Sequence, residues 1–190
     1  MDVTRRRNST VAKKRLDVFM ARITLIRHGK AEMPRVGAND FERGLVQRGM
    51  QNAEAVGKFM QAHKMLPDLV LVSPARRTRQ TYEMMSTSWT NLPDVVFEEK
   101  LYEVSADTLL QLIFRHGRDA ETVAVVGHNP SLIVLLNHFV GLVDGKINLS
   151  YFPTCCVADV GFEANKICDI DAEDGRLLSL VRAHDLTPVE

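Results

Sequence analysis

The chain has 190 residues, and its 24 lysines and arginines balance 24 aspartates and glutamates, a formal net charge of zero at pH 7. With 45% hydrophobic and 25% charged residues it has the make-up of a globular domain large enough to bury a core, which excludes collagen-like, mucin-like and wholly disordered chains. Zero net charge argues against a dedicated nucleic-acid binder, and no apolar run reaches the length that spans a bilayer, so neither nucleic acid nor membrane is an expected partner.

Residues 1–19 stand apart. They hold Arg5, Arg6, Arg7, Lys13, Lys14 and Arg15 against only Asp2 and Asp17, with no apolar stretch after the basic cluster. That pattern reads as a disordered basic leader rather than a secretory signal, and residues 20–190 as the folded domain. The compensating acidic excess therefore lies in the domain, so zero net charge describes neither part. Residues 23–26 are a β-branched run that predicts a first strand. Residues 47–63 place Met50, Ala53, Val56 and Met60 near helical spacing, until Pro67 ends the pattern. Residues 69–72 predict a second strand, Pro74 opens a helix to about Ser86, and residues 86–91 around Trp89 read as a loop packed on the body. Residues 95–97 predict a short strand and 106–115 a helix, with Leu109 and Ile113, and Leu110 and Phe114, four apart. Residues 122–126 form the strongest buried strand, 130–140 an apolar helix that carries His138, and 156–162 and 177–181 complete the sheet.

Alternation of this kind predicts a three-layer α/β/α domain with a mainly parallel central sheet, whose ligands sit beyond the carboxyl ends of the strands. Three strand ends carry unusual polar residues: Arg27-His28-Gly29, Ser73-Pro74-Ala75-Arg76-Arg77, and Gly127-His128-Asn129-Pro130. If these strands are neighbours, two histidines and several arginines meet at one edge. Arginine binds two phosphate oxygens in a planar fork and keeps its charge. A neutral imidazole can attack phosphorus, provided one nitrogen is free and the other is held by an acceptor. Gly29 is expected to let the backbone pass close to the anion. A second Arg-His-Gly, Arg115-His116-Gly117, follows a helix and reads as a helix end, with Gly117 in the C-cap. The three cysteines, Cys155, Cys156 and Cys168, lack metal-ligand spacing and read as reduced thiols of a cytoplasmic protein.

The segment ITLIRHGKAE at residues 23–32 resembles the opening of the histidine phosphatase superfamily, the phosphoglycerate mutase-like fold, and its Lys-Ala-Glu continuation is most similar to the SixA phosphohistidine phosphatase branch. In order follow DFERGLVQRG at 40–49, LVSPARRTRQT at 71–81, Leu101-Tyr102 with Ser105-Ala106, and VVGHNP at 125–130, each similar to that branch's motifs. The resemblance implies His28 as the phosphorylated nucleophile and Arg27 and Arg77 as phosphate ligands. It implies His128 as the second histidine at the transferring phosphoryl group, and Arg43 as a further anion contact. It implies neither metal nor cofactor. Val46 and Gly44 depart from the branch, which usually has Thr or Ser and Pro there, and the loss of the Thr or Ser removes a helix cap worth about 1 kcal/mol. Arg79 reads as a solvated helix-face arginine, and Arg76 as a charge that guides acidic substrates.

An alcohol leaving group needs a proton donor, and Glu103 sits near the acid of the mutases; it is either that general acid or a solvated loop carboxylate. The expected substrate is a phosphohistidine-bearing protein. A small-molecule phosphomonoesterase and a non-catalytic phospho-binding protein are the alternatives, and oligomeric state is left open by the sequence.

Overall fold

The computed structural model describes residues 21–141 and 150–186; the basic leader at 1–19 lies outside them. Six strands form one sheet in the order β3-β2-β4-β1-β5-β6. These are β1 (Ala21–Arg27), β2 (Leu69–Val72), β3 (Asp94–Phe97), β4 (Thr122–Gly127), β5 (Val157–Phe162) and β6 (Arg176–Val181). The pairings β3–β2, β2–β4 and β4–β1 are parallel, while β5 and β6 add on antiparallel. Helices α1 (Gln47–Ala62), α2 (Arg76–Ser86), α3 (Ala106–Gly117) and α4 (Ser131–Val140) connect them, with a short α5 (Ala183–Leu186) at the end.

The three layers follow from the two-residue period of the strands. Ile23, Leu25, Leu71, Val123 and Val125 point to one face, where Leu109, Leu112 and Ile113 of α3 and Leu132, Leu135, Leu136 and Phe139 of α4 cover them. Ile26, Val70, Val72, Ala124 and Val126 point to the other, against Ala53, Val56 and Met60 of α1 and Tyr82 and Met85 of α2. A strand buried on both faces has no polar alternation, which is why 69–72 and 122–126 read as continuous apolar runs. Helices α1 and α2 touch at Gly57, where an added Cβ would lie 2.1 Å from the Met85 carbonyl oxygen, so no larger residue fits without parting them.

Several boundaries differ from the sequence expectation. Helix α2 starts at Arg76 rather than Pro74, because Ala75 keeps extended backbone (φ −57°, ψ 144°) as the N-cap. Likewise α4 starts at Ser131, with Pro130 in the cap position. Helix α1 ends at Ala62 with His63 as its C-cap, and at its start Val46 makes no side-chain cap bond. Gly117 is not a cap: α3 runs through it and Arg118 follows in helical backbone. Glycine is needed there because a Cβ would sit 2.6 Å from Val123 Cγ2 on the sheet. His138 is exposed. Trp89 is buried as expected, its Nε1–H donating to the Gly57 carbonyl at 3.2 Å.

Register sets the level of the site. Arg27 pairs with Gly127, and Val72 with Val126, so β1, β2 and β4 end side by side. The His28 amide donates to the Gly127 carbonyl at 3.1 Å and the Ser73 amide to the Val126 carbonyl at 3.0 Å, extending both ladders by one residue. The chain thus leaves the sheet at one edge with His28, Ser73 and His128 adjacent.

Candidate active site

These strand ends open into a cleft of about 800 Å³. His28, His128, Arg27, Arg43 and Arg77 all line it, and Glu103 stands at its edge. The structure therefore brings together the six residues that the sequence and the resemblance assign to the site, Arg27, His28, Arg43, Arg77, Glu103 and His128.

His28 is oriented by its own neighbour. Its Nδ1 lies 2.7 Å from the Gly29 carbonyl oxygen. A carbonyl only accepts, so Nδ1 carries the hydrogen and Nε2 keeps the lone pair. Burial pushes the His28 pKa down to about 4, with Arg77, Arg27 and Arg43 adding to the shift against the Gly29 bond. Burial, followed by His28 and Arg77, pushes His128 down to about 3. The two rings lie 5.1 Å apart between centroids, tilted by 56°. At neutral pH both imidazoles are uncharged, and positive charge in the cleft comes from arginine.

Gly29 has a packing reason to be glycine. A Cβ there would meet the Gly49 carbonyl oxygen at 2.9 Å and Cys155 Sγ at 3.2 Å. The glycine is required by the packing of the loop onto α1 and onto Cys155, with its amide donating to Thr81 Oγ1 at 2.9 Å. Cys155 and Cys156 are buried behind this loop, on opposite faces of the sheet, and all three cysteines are free. Burial pushes both thiols up to about 12, so they are inert at neutral pH.

Each arginine is held by groups the sequence reading did not assign. Arg27 donates from one terminal nitrogen to the Phe152 carbonyl at 2.8 Å, which also accepts from Asn129 Nδ2 at 3.0 Å. Arg77 is buried and donates to the Asp40 carbonyl at 2.7 Å while pairing with the Asp40 carboxylate at 3.0 Å. Arg43 binds Asp40 Oδ1 through Nε and a terminal nitrogen, both at 2.7 Å, and its other terminal nitrogen donates to the Glu32 carbonyl. The Tyr102 hydroxyl donates to Asp40 Oδ2 at 2.9 Å. One carboxylate thus aligns two arginines. Burial alone would raise the Asp40 pKa, but the Tyr102 hydroxyl, Arg43 and Arg77 outweigh it and hold the carboxyl below its usual value. The clamp therefore persists into mildly acidic solution.

Arg27 Nε, Arg77 Nε, His128 Nδ1 and Asn129 Oδ1 are buried at the site without a partner. The unpaired arginine N–H donors suit a multiply charged oxyanion, which offers acceptors in several directions, whereas Asn129 Oδ1 is an acceptor and does not. Among the described residues no three His, Cys, Asp or Glu side chains form a cluster able to hold a metal.

Three other expectations have a place in the structure. Glu103 is exposed and lies in left-handed backbone, φ +53°, a conformation that costs energy in any residue but glycine. His116 lies outside the cleft, in the last turn of α3, with Nε2 at 2.8 Å from Glu98 Oε2. Arg79 covers the Phe97 ring at 5.0 Å on the surface, and Arg76 is exposed beside Gly44.

The family model of the histidine phosphatase superfamily (branch 1) matches residues 23–116, from β1 through α3. The chain belongs to the histidine phosphatase superfamily. The solved structure of the provisionally assigned phosphohistidine phosphatase SixA from Agrobacterium tumefaciens is 28% identical, with a TM-score of 0.73 over 86% of this chain and 99% of that one. The protein histidine phosphatase SixA complexed with tungstate shares the fold at a TM-score of 0.72 and 18% identity, over 87% of this chain and 99% of that one. The Agrobacterium likeness supports the SixA branch, and the tungstate complex shows the shared fold. The uncharacterized protein Rv1276c of Mycobacterium tuberculosis is 34% identical over 110 residues, 58% of this chain and 66% of that one. In this phosphatase family member, His128 lies beyond the matched segment and reaches the cleft only through the pairing of β4 with β1 and β2.

If His28 is the nucleophile, its depressed pKa sets the acid limb of activity. The kcat/KM of the free protein is expected to fall through a midpoint near pH 4, as His28 gains a proton and loses its nucleophilic lone pair. Stability moves the same way. Between pH 6.5 and about 4 the unfolded chain takes up protons on both imidazoles that the folded chain refuses, so their contribution declines as pH falls across that window. Initial rates from pH 3 to 8, paired with unfolding midpoints, check both; an acid midpoint near 6.5 would show that His28 is not held neutral.

Proposed function

We propose that this histidine phosphatase hydrolyses phosphohistidine carried on proteins, without a metal, through a phosphorylated His28. The observation that carries it is the orientation of His28, with Nδ1 on the Gly29 carbonyl and Nε2 left as the lone-pair nitrogen, in one cleft with three arginines and a second neutral histidine. In the first step the Nε2 lone pair attacks phosphorus in line. The bond from phosphorus to the substrate imidazole breaks, and that ring leaves with its electron pair and takes a proton from solvent. In the second step water attacks phospho-His28, the P–Nε2 bond breaks, and orthophosphate departs. Arg27, Arg77 and Arg43 neutralise the equatorial oxygens in both steps, the role a metal fills elsewhere.

The likeness to a structure assigned as a phosphohistidine phosphatase supports a phosphohistidine substrate. The open mouth agrees with it: Met33 lines the cleft at 79% exposed, leaving room for a side chain presented on another protein. The free cysteines fit a reducing, cytoplasmic setting, and no helix among the described residues is long and apolar enough to cross a membrane.

One observation favours the alternative, a small-molecule phosphomonoesterase: strained Glu103 stands at the cleft, where an acid could protonate an alkoxide. Assaying a phosphohistidine peptide beside a phosphomonoester, both with EDTA, separates the two. The phosphohistidine peptide is expected to be the better substrate, and Glu103→Gln to change its turnover less than about twofold, because imidazole needs no positioned acid. A preference for the monoester, with a loss of about 10²-fold or more in Glu103→Gln, would assign Glu103 as general acid and overturn the phosphohistidine proposal.

A further inference from the structure

Ser73 is the last residue of its strand ladder, completely buried, and its hydroxyl oxygen lies 2.8 Å from His128 Nε2. Within the resemblance it belongs to a sequence motif but has no chemical role. Its surroundings give it one. A buried hydroxyl hydrogen needs an acceptor, and His128 Nε2 is the one partner found for Ser73 Oγ among the described residues. The nearby Thr78 hydroxyl is occupied elsewhere, donating to the Ser73 and Ala75 carbonyls at 2.7 Å. Ser73 therefore donates to Nε2, and Nε2 is bare. A neutral imidazole carries one ring hydrogen, so on His128 it resides at Nδ1. Nδ1 is the buried atom left without a partner on His128, a residue that lines the cleft.

We infer that Ser73 is a positioning residue that locks His128 in its Nδ1–H form, so that a neutral histidine presents a hydrogen-bond donor to the transferring phosphoryl group. In the opposite tautomer a lone pair would face an anion, and the contact would turn from attractive to repulsive. The two cleft histidines then share a protonation state, Nδ1–H with bare Nε2, but are used in opposite directions. His28 spends its Nδ1–H on the Gly29 carbonyl and attacks with Nε2; His128 spends its Nε2 on Ser73 and donates with Nδ1. The catalytic consequence rests on the phosphatase proposal above, whereas the tautomer itself does not.

Two measurements separate them. In ¹⁵N-labelled protein near pH 7, two-bond ¹H–¹⁵N spectra report which nitrogen of each histidine is protonated, with the His128 signals assigned from a His128→Asn sample. Wild-type protein is expected to show His128 as the Nδ1–H tautomer. Ser73→Ala is expected to move it toward Nε2–H and to lower kcat by about 10- to 100-fold while KM stays within about threefold, because the donor matters most as charge shifts in the transition state. An Nε2–H tautomer in the wild type would overturn the inference whatever the activity data show, and this reading needs no variant to fold. Ser73→Ala that keeps both the wild-type tautomer and kcat would also overturn it. Loss of activity in His28→Ala bears on the phosphatase proposal alone.

Discussion

His28→Ala is expected to lower turnover of a phosphohistidine peptide by at least about 10³-fold, to the level set by binding and electrostatics alone. The other cleft imidazole is not placed to substitute. His128 Nε2 is engaged by Ser73, and its ring is fixed 5.1 Å from that of His28. The variant should fold, because His28 is only partly buried and the backbone bonds of this segment, His28 N–H to the Gly127 carbonyl and Gly29 N–H to Thr81, do not use its side chain. Near-UV circular dichroism and single-turnover rates check the two halves. Full turnover in a folded His28→Ala protein would end the covalent mechanism.

Arg77→Ala is the second large effect. Arg77 is 5% exposed, and its two terminal nitrogens bind the carbonyl and carboxylate of Asp40, which leaves the rest of the fork for the phosphoryl oxygens. Losing a preorganised donor of this kind lowers kcat/KM by about 10²- to 10³-fold. It also removes both Arg77 bonds to Asp40, while the carbonyl of half-exposed Asp40 keeps the Arg43 amide at 3.3 Å. Asp40 itself stays paired with Arg43 and Tyr102, so the site loosens rather than collapses. Arg77→Lys should recover only part of the activity, since one ammonium cannot hold both Asp40 groups and still face the substrate with a fixed fork. Steady-state kinetics and urea unfolding of the two variants check this. Equal kcat/KM in Arg77→Lys and wild type would show that charge alone, and not the Asp40 clamp, is what the cleft needs.

The parts of the fold most visible in the sequence are those with a local physical signature. Strands β2 and β4 are buried on both faces, so residues 69–72 and 122–126 stand out as apolar runs, and each ends abruptly in polar chemistry. The two histidines and the arginines were legible for that reason, and the family motifs placed Arg43. The supporting groups were not. Asp40 lies three residues from Arg43, a spacing that hints at an ion pair, but its bonds to Arg77 and Tyr102 span 37 and 62 residues. The Phe152 carbonyl that holds Arg27 is 125 residues away and carries no side-chain signal. Glycine is equally ambiguous in a sequence. Gly29 reads as room for an anion and Gly117 as a cap, yet both are dictated by close tertiary packing, on Gly49 and on Val123. Composition concealed the site altogether: a neutral chain concentrates three arginines around two uncharged imidazoles.

The central claim is a phosphoryl group on one nitrogen of one residue. Rapid mixing with a phosphohistidine peptide, an alkaline quench that preserves phosphoramidates, and peptide mass spectrometry test it directly. The expected result is a single phosphoryl group on the peptide that contains His28, forming and decaying at rates that account for turnover, and absent from His28→Ala. Undiminished turnover with the label on another residue, or with no phosphorylated protein at any time point, would contradict it.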